Sequence, residues 1–222
     1  MSRREQAKDE RRRRIIAAAR DLIRETGDAG LSMRAIAARA NVSLSTPYNL
    51  FGSKRAILVA VLGDIEDFFE RFAEMRAADP IERIFQVLTL SVRYYAEDPD
   101  FYRTLWAGMF DASGKEVRAA LALPERDAFW VSLLDAAARD GALMAQIDTT
   151  QLMRALDVAF AGVMLNWVLG ALEVDELEPT AGYGYALALR GAATRGWQDA
   201  LADRAAAYQA QLTALRADAA AA

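Results

Sequence analysis

Apolar residues recur at intervals of three and four along nearly the whole chain, which is the spacing of amphipathic helices. The first stripe, Ile15, Ala19, Leu22 and Ile23, predicts a helix from Arg12 to Thr26. No stretch shows the alternation of a half-buried strand, and no segment repeats. The sequence therefore predicts an all-α protein.

Two short helical patterns follow, separated by only a few residues. Ser32 is a good N-cap for the first, and Asn41 ends it because Asn tolerates the left-handed conformation that helix C-termini often adopt. Ser43 or Ser45 is expected to cap the second, which carries Pro47 in its first turn, where a missing N–H is tolerated. The spacing is typical of a helix-turn-helix, whose second helix enters a major groove, although any short helical hairpin gives the same pattern.

The side chains of this segment fall into two sets. The set expected to face a shared core is apolar and comprises Ile36, Ala40, Val42, Pro47 and Leu50. The outward set suits contact with a groove, since its members are short, polar or aromatic: Leu44, Ser45, Thr46, Tyr48 and Asn49.

The remaining apolar stripes predict a body of helices. The predicted helices span Lys54 to about Met75, residues 81–96, 100–110 and 125–139, Gln151 to about Leu172, and the Ala-rich segment from Thr180, with a break around 191–196. Asp148 or Thr149 is expected to cap the fifth of these, and residues 173–179 are expected to form an acidic loop. The predicted domains are a DNA-binding domain, 1–53, and a helical body, 54–222.

Composition excludes much of enzyme chemistry. The 222 residues include no Cys and no His, which removes disulfides, thiol nucleophiles, histidine acid/base catalysis and nearly every transition-metal site. No paired carboxylates, glycine-rich phosphate loop or nucleophile motif occurs, so we expect no enzyme and no cofactor. No apolar run approaches the roughly 20 residues that span a bilayer, and the N-terminus is charged, so we expect a cytoplasmic protein.

Charge is distributed unevenly along the chain. The net charge is −4, but the first 60 residues hold thirteen Lys and Arg against six Asp and Glu, and the remainder is acidic. A basic head on an acidic body fits a protein that contacts DNA at one end. The basic residues before Ile15 are expected to form a solvated, frayed arm, or an arm that follows phosphates or enters a minor groove: Arg3, Arg4, Lys8, Arg11, Arg12, Arg13 and Arg14.

A more specific pattern surrounds the second short helix. It consists of Val42-Ser43, Thr46-Pro47-Tyr48, Phe51 and Ser53-Lys54. This pattern resembles the DNA-binding domain of the TetR family of bacterial transcriptional regulators, in which a Val-Ser turn, a Thr-x-Tyr, an aromatic residue and a Ser-Lys occur around the recognition helix. Asn41 stands where the family commonly has Gly, and Pro47 where an aliphatic residue is frequent.

The resemblance covers about the first quarter of the chain. It implies an N-terminal three-helix domain that contains the helix-turn-helix, followed by a larger helical bundle for ligand binding and dimerisation. We assign Ser43, Thr46, Tyr48 and Lys54 mainly to phosphates, and Leu44, Ser45 and Asn49 to base edges, since Asn pairs well with adenine. The full set of candidate DNA-binding residues is Ser32, Arg34, Ser43, Leu44, Ser45, Thr46, Tyr48, Asn49 and Lys54.

Aromatic and methionine side chains on several predicted helices fit two interpretations. They form the core of a helical bundle, or some of them line an apolar pocket for a small hydrophobic or aromatic ligand. Asn166 lies mid-helix in an apolar run, where a buried amide needs a hydrogen-bond partner from a ligand or a symmetry-related helix. The candidate ligand-binding residues are Trp106, Met109, Phe110, Phe129, Trp130, Phe160, Met164, Asn166 and Trp167.

Small residues recur on one face of each of two late helices. Such rows let helix axes approach closely, within a subunit or across a two-fold axis. The candidate interface residues are Ala155, Ala159, Gly162, Gly184, Ala188 and Gly191. The family resemblance implies that the last two long helices form a dimeric four-helix interface.

These features together predict a homodimeric DNA-binding regulator. We expect a repressor that a small hydrophobic ligand releases from a pseudo-palindromic operator in double-stranded DNA. An activator or a ligand-independent regulator is the alternative of the same class. A helical protein-interaction module without sequence-specific DNA binding is the alternative from another class, and no metal or membrane partner is expected.

Overall fold

The computed structural model describes residues 3–27, 31–61, 79–110 and 124–221. These residues form ten α-helices and one 3-10 turn and contain no strand, so the predicted all-α fold is confirmed. The α-helices, in chain order, are α1 (Arg3–Thr26), α2 (Met33–Arg39), α3 (Ser45–Phe51), α4 (Lys54–Val61), α5 (Pro80–Glu97), α6 (Pro99–Phe110), α7 (Pro124–Arg139), α8 (Thr149–Val168), α9 (Leu177–Ala192) and α10 (Arg195–Ala221). None of these described helices is long and apolar enough to cross a membrane.

The chain forms two compact units that are discontinuous in sequence. The first unit is Met1–Phe69 with Asp98–Leu123, and the second is Glu70–Glu97 with Pro124–Ala222. The unit that contains the helix-turn-helix thus also contains α4 and α6. A DNA-binding domain that ends at residue 53 stays a prediction.

Helix α1 is the centre of the first unit, because α2, α4 and α6 all pack against it. Its side chains Ile15, Ala19 and Ile23 are fully buried. On α6, the Phe101 ring lies 4.7 Å from the Arg20 guanidinium, and Asp98, just before α6, accepts hydrogen bonds from Arg24. The hydrogen bond to Asp98 raises the pKa of Arg24.

Helix α1 begins at Arg3 and not at Arg12, so the prediction of a frayed arm is wrong for the residues from Arg3 onward. A role of these residues in contacts with phosphates or a minor groove stays a prediction. The segment is rich in residues with high helix propensity, and Arg13 forms an ion pair of 2.9 Å with Glu10 one turn away. Because the packed part of α1 has already met the cost of nucleation, each added residue extends the helix at little cost.

The second unit is held together by α9 and α10, which pack along each other. A Cβ atom placed on Gly182 of α9 would lie 2.4 Å from the Tyr208 ring of α10, so only glycine allows this approach. Arg204 of α10 forms an ion pair with Glu82 of α5 and lies 4.3 Å from the Phe85 ring. The apolar side chains Leu201, Ala205 and Tyr208 of α10 are buried as a result.

Two boundaries in the second unit test the capping predictions. The Asp148 carboxylate accepts a hydrogen bond of 3.0 Å from Gln151 N–H, which confirms Asp148 as the cap of α8. The predicted acidic loop over 173–179 is wrong in its second half, because α9 already begins at Leu177. Glu173 and Glu176 cap each other around a 3-10 turn, and Pro179 falls in the first turn of α9, where its missing N–H is tolerated.

The long helix predicted from Lys54 begins where expected, at Lys54. The structure describes it as far as Val61, and the rest of the predicted span, to Met75, lies outside the described residues.

Candidate nucleic-acid interface

Helix α2 and the turn after it have the geometry that the sequence predicted. The Ser32 hydroxyl accepts a hydrogen bond of 3.1 Å from Ala35 N–H, and Ile36 and Ala37 are buried. Asn41 has a φ of 51°, the left-handed conformation expected of the turn residue. A residue at this position that lacks the tolerance of Asn or Gly for positive φ would strain the turn.

Helix α3 begins at Ser45 with Leu44 as its cap residue, and no side chain caps it. The prediction that Ser43 or Ser45 caps this helix is therefore wrong. The Ser43 hydroxyl instead forms hydrogen bonds with the hydroxyls of Ser45, at 3.0 Å, and Thr46, at 2.8 Å. These bonds gather three hydroxyl groups at the N-terminal end of α3, where backbone N–H groups favour an anion.

The inward and outward faces of α3 are largely those predicted. Pro47 is buried and Leu50 is half-buried. Leu44 and Tyr48 are 46% and 50% exposed, which is high for such apolar side chains and leaves them available for contact. Of the nine candidate DNA-binding residues, Thr46 and Lys54 are half-buried, and the exposed ones are Ser32, Arg34, Ser43, Leu44, Ser45, Tyr48 and Asn49.

Two arginines of α1 hold the ends of the helix-turn-helix. Arg12 Nη1 donates a hydrogen bond of 2.7 Å to Leu50 O, and its guanidinium lies 4.3 Å from the Phe51 ring. Arg14 Nη2 donates to Ala40 O and, at 2.9 Å, to Asn41 O. Both arginines thus satisfy carbonyl groups at helix C-termini, where a cation is favoured.

A groove runs between the N-terminal part of α1 and the outward face of α3. Its walls are formed on one side by Arg4, Glu5, Lys8 and Arg11, and on the other by Thr46, Asn49 and Leu50. Three cations against one carboxylate make the groove basic. It therefore shares two candidate DNA-binding residues, Thr46 and Asn49, with the predicted recognition surface.

The candidate ligand-binding residues are divided between the two compact units. In the first unit Trp106 is buried and stacks on Phe110 with ring centroids 5.8 Å apart, beside the half-buried Met109. In the second unit Met164 and Trp167 are fully buried, and Phe129, Trp130 and Phe160 are half-buried. A ligand pocket formed by these residues stays a prediction.

Asn166 is exposed, contrary to the expectation of a buried amide, and it donates a hydrogen bond of 2.8 Å to Gly162 O within α8. The side chain lies on the face of α8 that is turned away from its own unit. Its candidate role in ligand binding stays a prediction.

Two tyrosines that the sequence analysis left out of the ligand set join the aromatic residues of the second unit. Tyr95 lies 6.3 Å from both Phe160 and Trp167, measured between ring centroids, and Tyr185 lies 6.2 Å from Trp130. Burial raises the pKa of Tyr185, so its phenol stays a neutral hydroxyl. The helical period could have found Tyr185, which lies one turn from the buried Ala181 and Leu189.

The candidate interface residues lie at accessible or half-buried positions of α8 and α9. Ala155, Ala159, Gly162 and Gly191 are exposed, and Gly184 and Ala188 are half-buried. Apart from the glycine's chain neighbours and the nearby backbone of its own helix, no described atom lies within 4 Å of a Cβ built on Gly162, Gly184 or Gly191. Their lack of side chains is therefore not required by packing among the described residues of one chain.

The two short helices α2 and α3, joined by the turn at Asn41, held by α1 and bordered by a basic groove, are typical of a helix-turn-helix DNA-binding protein. Residues 15–61 match the family model described as bacterial regulatory proteins, tetR family. This match lies over the helix-turn-helix and confirms the resemblance to the TetR family that was predicted from the residues around α3. The members of this family are DNA-binding regulators and not enzymes, in agreement with the prediction.

Similar proteins extend the likeness beyond the helix-turn-helix. The transcriptional repressor KstR of Rhodococcus jostii is 35% identical over 94 residues, which are 42% of this chain and 44% of KstR. An uncharacterized HTH-type regulator of Mycobacterium tuberculosis is 27% identical over 183 residues, 81% of each chain. The crystal structure of Thermus thermophilus FadR, a TetR-family repressor in complex with lauroyl-CoA, shares the fold with a TM-score of 0.61 and 23% identity, over 83% of this chain and 96% of FadR.

The capping role of Arg12 gives a prediction about stability. Arg12→Met removes the charged hydrogen bond to Leu50 O and the contact with Phe51, so we expect the free energy of unfolding to fall by about 1–2 kcal/mol. Urea unfolding followed by circular dichroism measures this change. Arg13→Met is the matched control, because Arg13 is 74% exposed and pairs only with Glu10 among the contacts described, and it should change stability by less than about 0.5 kcal/mol. Equal losses in the two variants would contradict the capping role.

Proposed function

We propose that the protein is a homodimeric transcriptional repressor that acts in the cytoplasm and is released from a pseudo-palindromic operator by a small apolar ligand. The observation that carries the DNA-binding part is the outward face of α3. This face leaves Tyr48 and Asn49 exposed on a helix whose two ends are fixed by neighbouring elements.

The roles of the side chains follow from their chemistry and position. Asn49 offers an amide that pairs with the N6 and N7 edge of adenine, and Leu44 offers an apolar contact for a thymine methyl group. The hydroxyls of Ser43 and Thr46 and the cation of Lys54 at the start of α4 suit phosphate oxygens. Phosphate contacts would fix the register, and Asn49 would supply sequence discrimination.

Selection of binding sites from a random duplex pool tests this proposal. We expect enrichment of a pseudo-palindrome whose half-sites lie roughly 34–36 Å apart, the spacing of successive major grooves on one side of the duplex. A reporter placed behind the selected site should be expressed more strongly when the protein is absent. Failure to enrich any sequence, with binding that salt abolishes equally on all duplexes, would favour the interaction-module alternative.

The assignment of base and phosphate contacts predicts two different mutant phenotypes. Asn49→Ala should weaken operator binding by about 1–3 kcal/mol and relax the preference at one base position in each half-site. Lys54→Ala should weaken binding to operator and scrambled duplex alike and lower the salt dependence. Fluorescence anisotropy titrations of both variants on both duplexes make the comparison, and equal losses on the two duplexes for Asn49→Ala would contradict base readout.

An accessible apolar face on α8 and α9 supports the proposed dimer. Val158 and Leu169 of α8 are 73% and 71% exposed, and Leu187 of α9 is 45% exposed. On α8, Val158 shares one helix face with the candidate interface residues Ala155, Ala159 and Gly162, whose small size lets a second helix approach closely. A second copy related by a two-fold axis would cover the same face on both chains.

The proposed interface predicts that one charge disrupts the dimer without harming the subunit. Val158→Glu places a carboxylate on a side chain that is already 73% exposed in one chain, so the fold should tolerate it. In the dimer the same carboxylate would be buried without a partner, and we expect a monomer at micromolar concentration in sedimentation velocity. Thr213→Glu, on an exposed position of α10, is the control and should remain dimeric. A dimeric Val158→Glu variant would place the interface elsewhere.

The aromatic residues of the body support the ligand part of the proposal. Tyr95, Phe160 and Trp167 are close neighbours on α5 and α8, and Trp130 and Tyr185 form a second pair on α7 and α9. Pockets between helices that bind apolar molecules are lined by such side chains. The lauroyl-CoA complex of the similar FadR makes acyl-CoA thioesters a sensible first set of probes.

The ligand proposal predicts release of the operator. We expect a member of a panel of acyl-CoA thioesters, fatty acids and aromatic compounds to dissociate the protein from its selected operator in an anisotropy assay. A ligand that binds the DNA-free state more tightly lowers the affinity for the operator. Trp130→Leu should weaken ligand binding, so it should raise the ligand concentration needed for release and leave the operator affinity measured without ligand unchanged. If no compound releases the operator, the ligand-independent alternative is favoured.

A further inference from the structure

We infer that the first turns of α1 form a second DNA-contact surface, in which Arg4, Lys8 and Arg11 bind the phosphate backbone beside the base pairs that α3 reads. This inference rests on the proposed DNA-binding function. It adds an element outside the helix-turn-helix and assigns different tasks to neighbouring arginines of one run.

The periodicity of α1 places these three cations on a defined face. Residues 4, 8 and 11 are spaced by four and three, and the same spacing continues through the buried Ile15 and Ala18 to the half-buried Leu22. This face of α1 is apolar where the helix packs on the rest of its unit. In the first turns, which lie beyond the packed part, the same face carries the three cations. The extension is therefore directed along the same side as the helix-turn-helix.

The groove described above brings this face next to the recognition helix. Arg4, Lys8 and Arg11 are exposed and share the groove with Thr46 and Asn49 of α3. A molecule that contacts Thr46 and Asn49 within this groove thus also borders the three cations. Glu5 adds one carboxylate to the same wall and leaves the groove with a positive excess.

The spacing of the cations suits a nucleic-acid strand. Residues 4 to 11 span about 10 Å along a helix axis that rises about 1.5 Å per residue. Successive phosphates of one DNA strand are spaced by about 3.4 Å along the duplex axis. The three side chains thus extend over a length of about three successive phosphates, and long flexible cations adjust easily to such a row.

The other arginines of the run have different surroundings. Arg12 and Arg14 donate hydrogen bonds to backbone carbonyl groups at the ends of α3 and α2. Arg13 is at the opposite side of the helix from Arg11 and pairs with Glu10. Arg11 and Arg13 are therefore a matched pair, because they are the same residue type, two positions apart, both exposed, and only Arg11 borders the groove.

Salt-dependent titrations of Arg11→Gln and Arg13→Gln test the inference in the full-length protein. Each variant loses one charge per chain, so a general electrostatic effect would act equally on both. We expect Arg11→Gln to reduce the slope of log K against log salt concentration by about 0.9 per bound chain, on the selected operator and on a scrambled duplex alike. Arg13→Gln should leave the slope close to that of the wild type. Equal slopes for the two variants would overturn the inference.

Phosphate ethylation interference provides a second measurement that locates the contact. On the selected operator, the wild-type protein should show interfering phosphates next to each half-site that disappear in Arg4→Gln/Lys8→Gln/Arg11→Gln and remain in Arg13→Gln. An unchanged thermal unfolding midpoint for the triple variant would show that these exposed substitutions leave the fold intact. An interference pattern that the triple variant does not alter would overturn the inference.

The two proposals fail in different ways. If the wild-type protein selects no operator, the proposed function fails, and the slopes on a random duplex still decide whether the α1 groove binds phosphates. If an operator is selected and Arg11→Gln behaves like Arg13→Gln, the proposed function stands and the α1 surface does not bind DNA.

Discussion

The DNA-binding surface depends on the packing of α1 against α2 and on the contacts of Arg12 with the end of α3. Helices of seven residues, the length of both α2 and α3, are too short to be stable in water alone. Ile15, Ala19 and Ile23 supply the apolar surface that the short helices lack, and Arg12 and Arg14 bind their last carbonyl groups. A single long helix therefore fixes both the position and the angle at which α3 is presented.

This arrangement explains how a run of like charges is accommodated in a folded domain. Four consecutive arginines would repel one another on a disordered arm, but a helix turns each one in a different direction. Two become internal hydrogen-bond donors, one pairs with Glu10, and Arg11 borders the groove beside α3. Only part of the positive charge of this segment is thus available to bind a polyanion.

Much of the fold followed from the sequence because local signals agreed with the tertiary structure. The helical periods, the Ser32 and Asp148 caps and the turn at Asn41 all depend on nearby residues, and the structure has each of them. The extent of α1 was missed because the sequence shows no apolar stripe before Ile15. The polar first turns are helical because they continue the packed part of the helix, and such turns have no hydrophobic periodicity by which to recognise them. The roles of Arg12 and Arg14 were missed for another reason, since their partners are carbonyl groups distant in sequence that the fold alone brings near.

The candidate sites in the body were less accessible to sequence reasoning. Periodicity identifies which side chains are apolar, but Tyr94 and Tyr95 are neighbours, and only the rotation of α5 decides which of them faces Phe160 and Trp167. Asn166 was misjudged because a polar residue in an apolar run was assumed to be buried. On α8 the run itself is accessible on one side, and the amide hydrogen-bonds within its own helix.

The place of α6 in the first compact unit limits which chimaeras between related regulators can fold. The Phe101 ring beside Arg20 and the Asp98 carboxylate that pairs with Arg24 come from a segment that rejoins α1 after the chain has contributed α5 to the other unit. A chimaera made by joining the first 53 residues to the body of another regulator would leave both arginines facing foreign side chains. Recombination at a single crossover would therefore succeed most readily between proteins whose counterparts of α6 already match this surface, so that operator specificity and its helical support would tend to be inherited together.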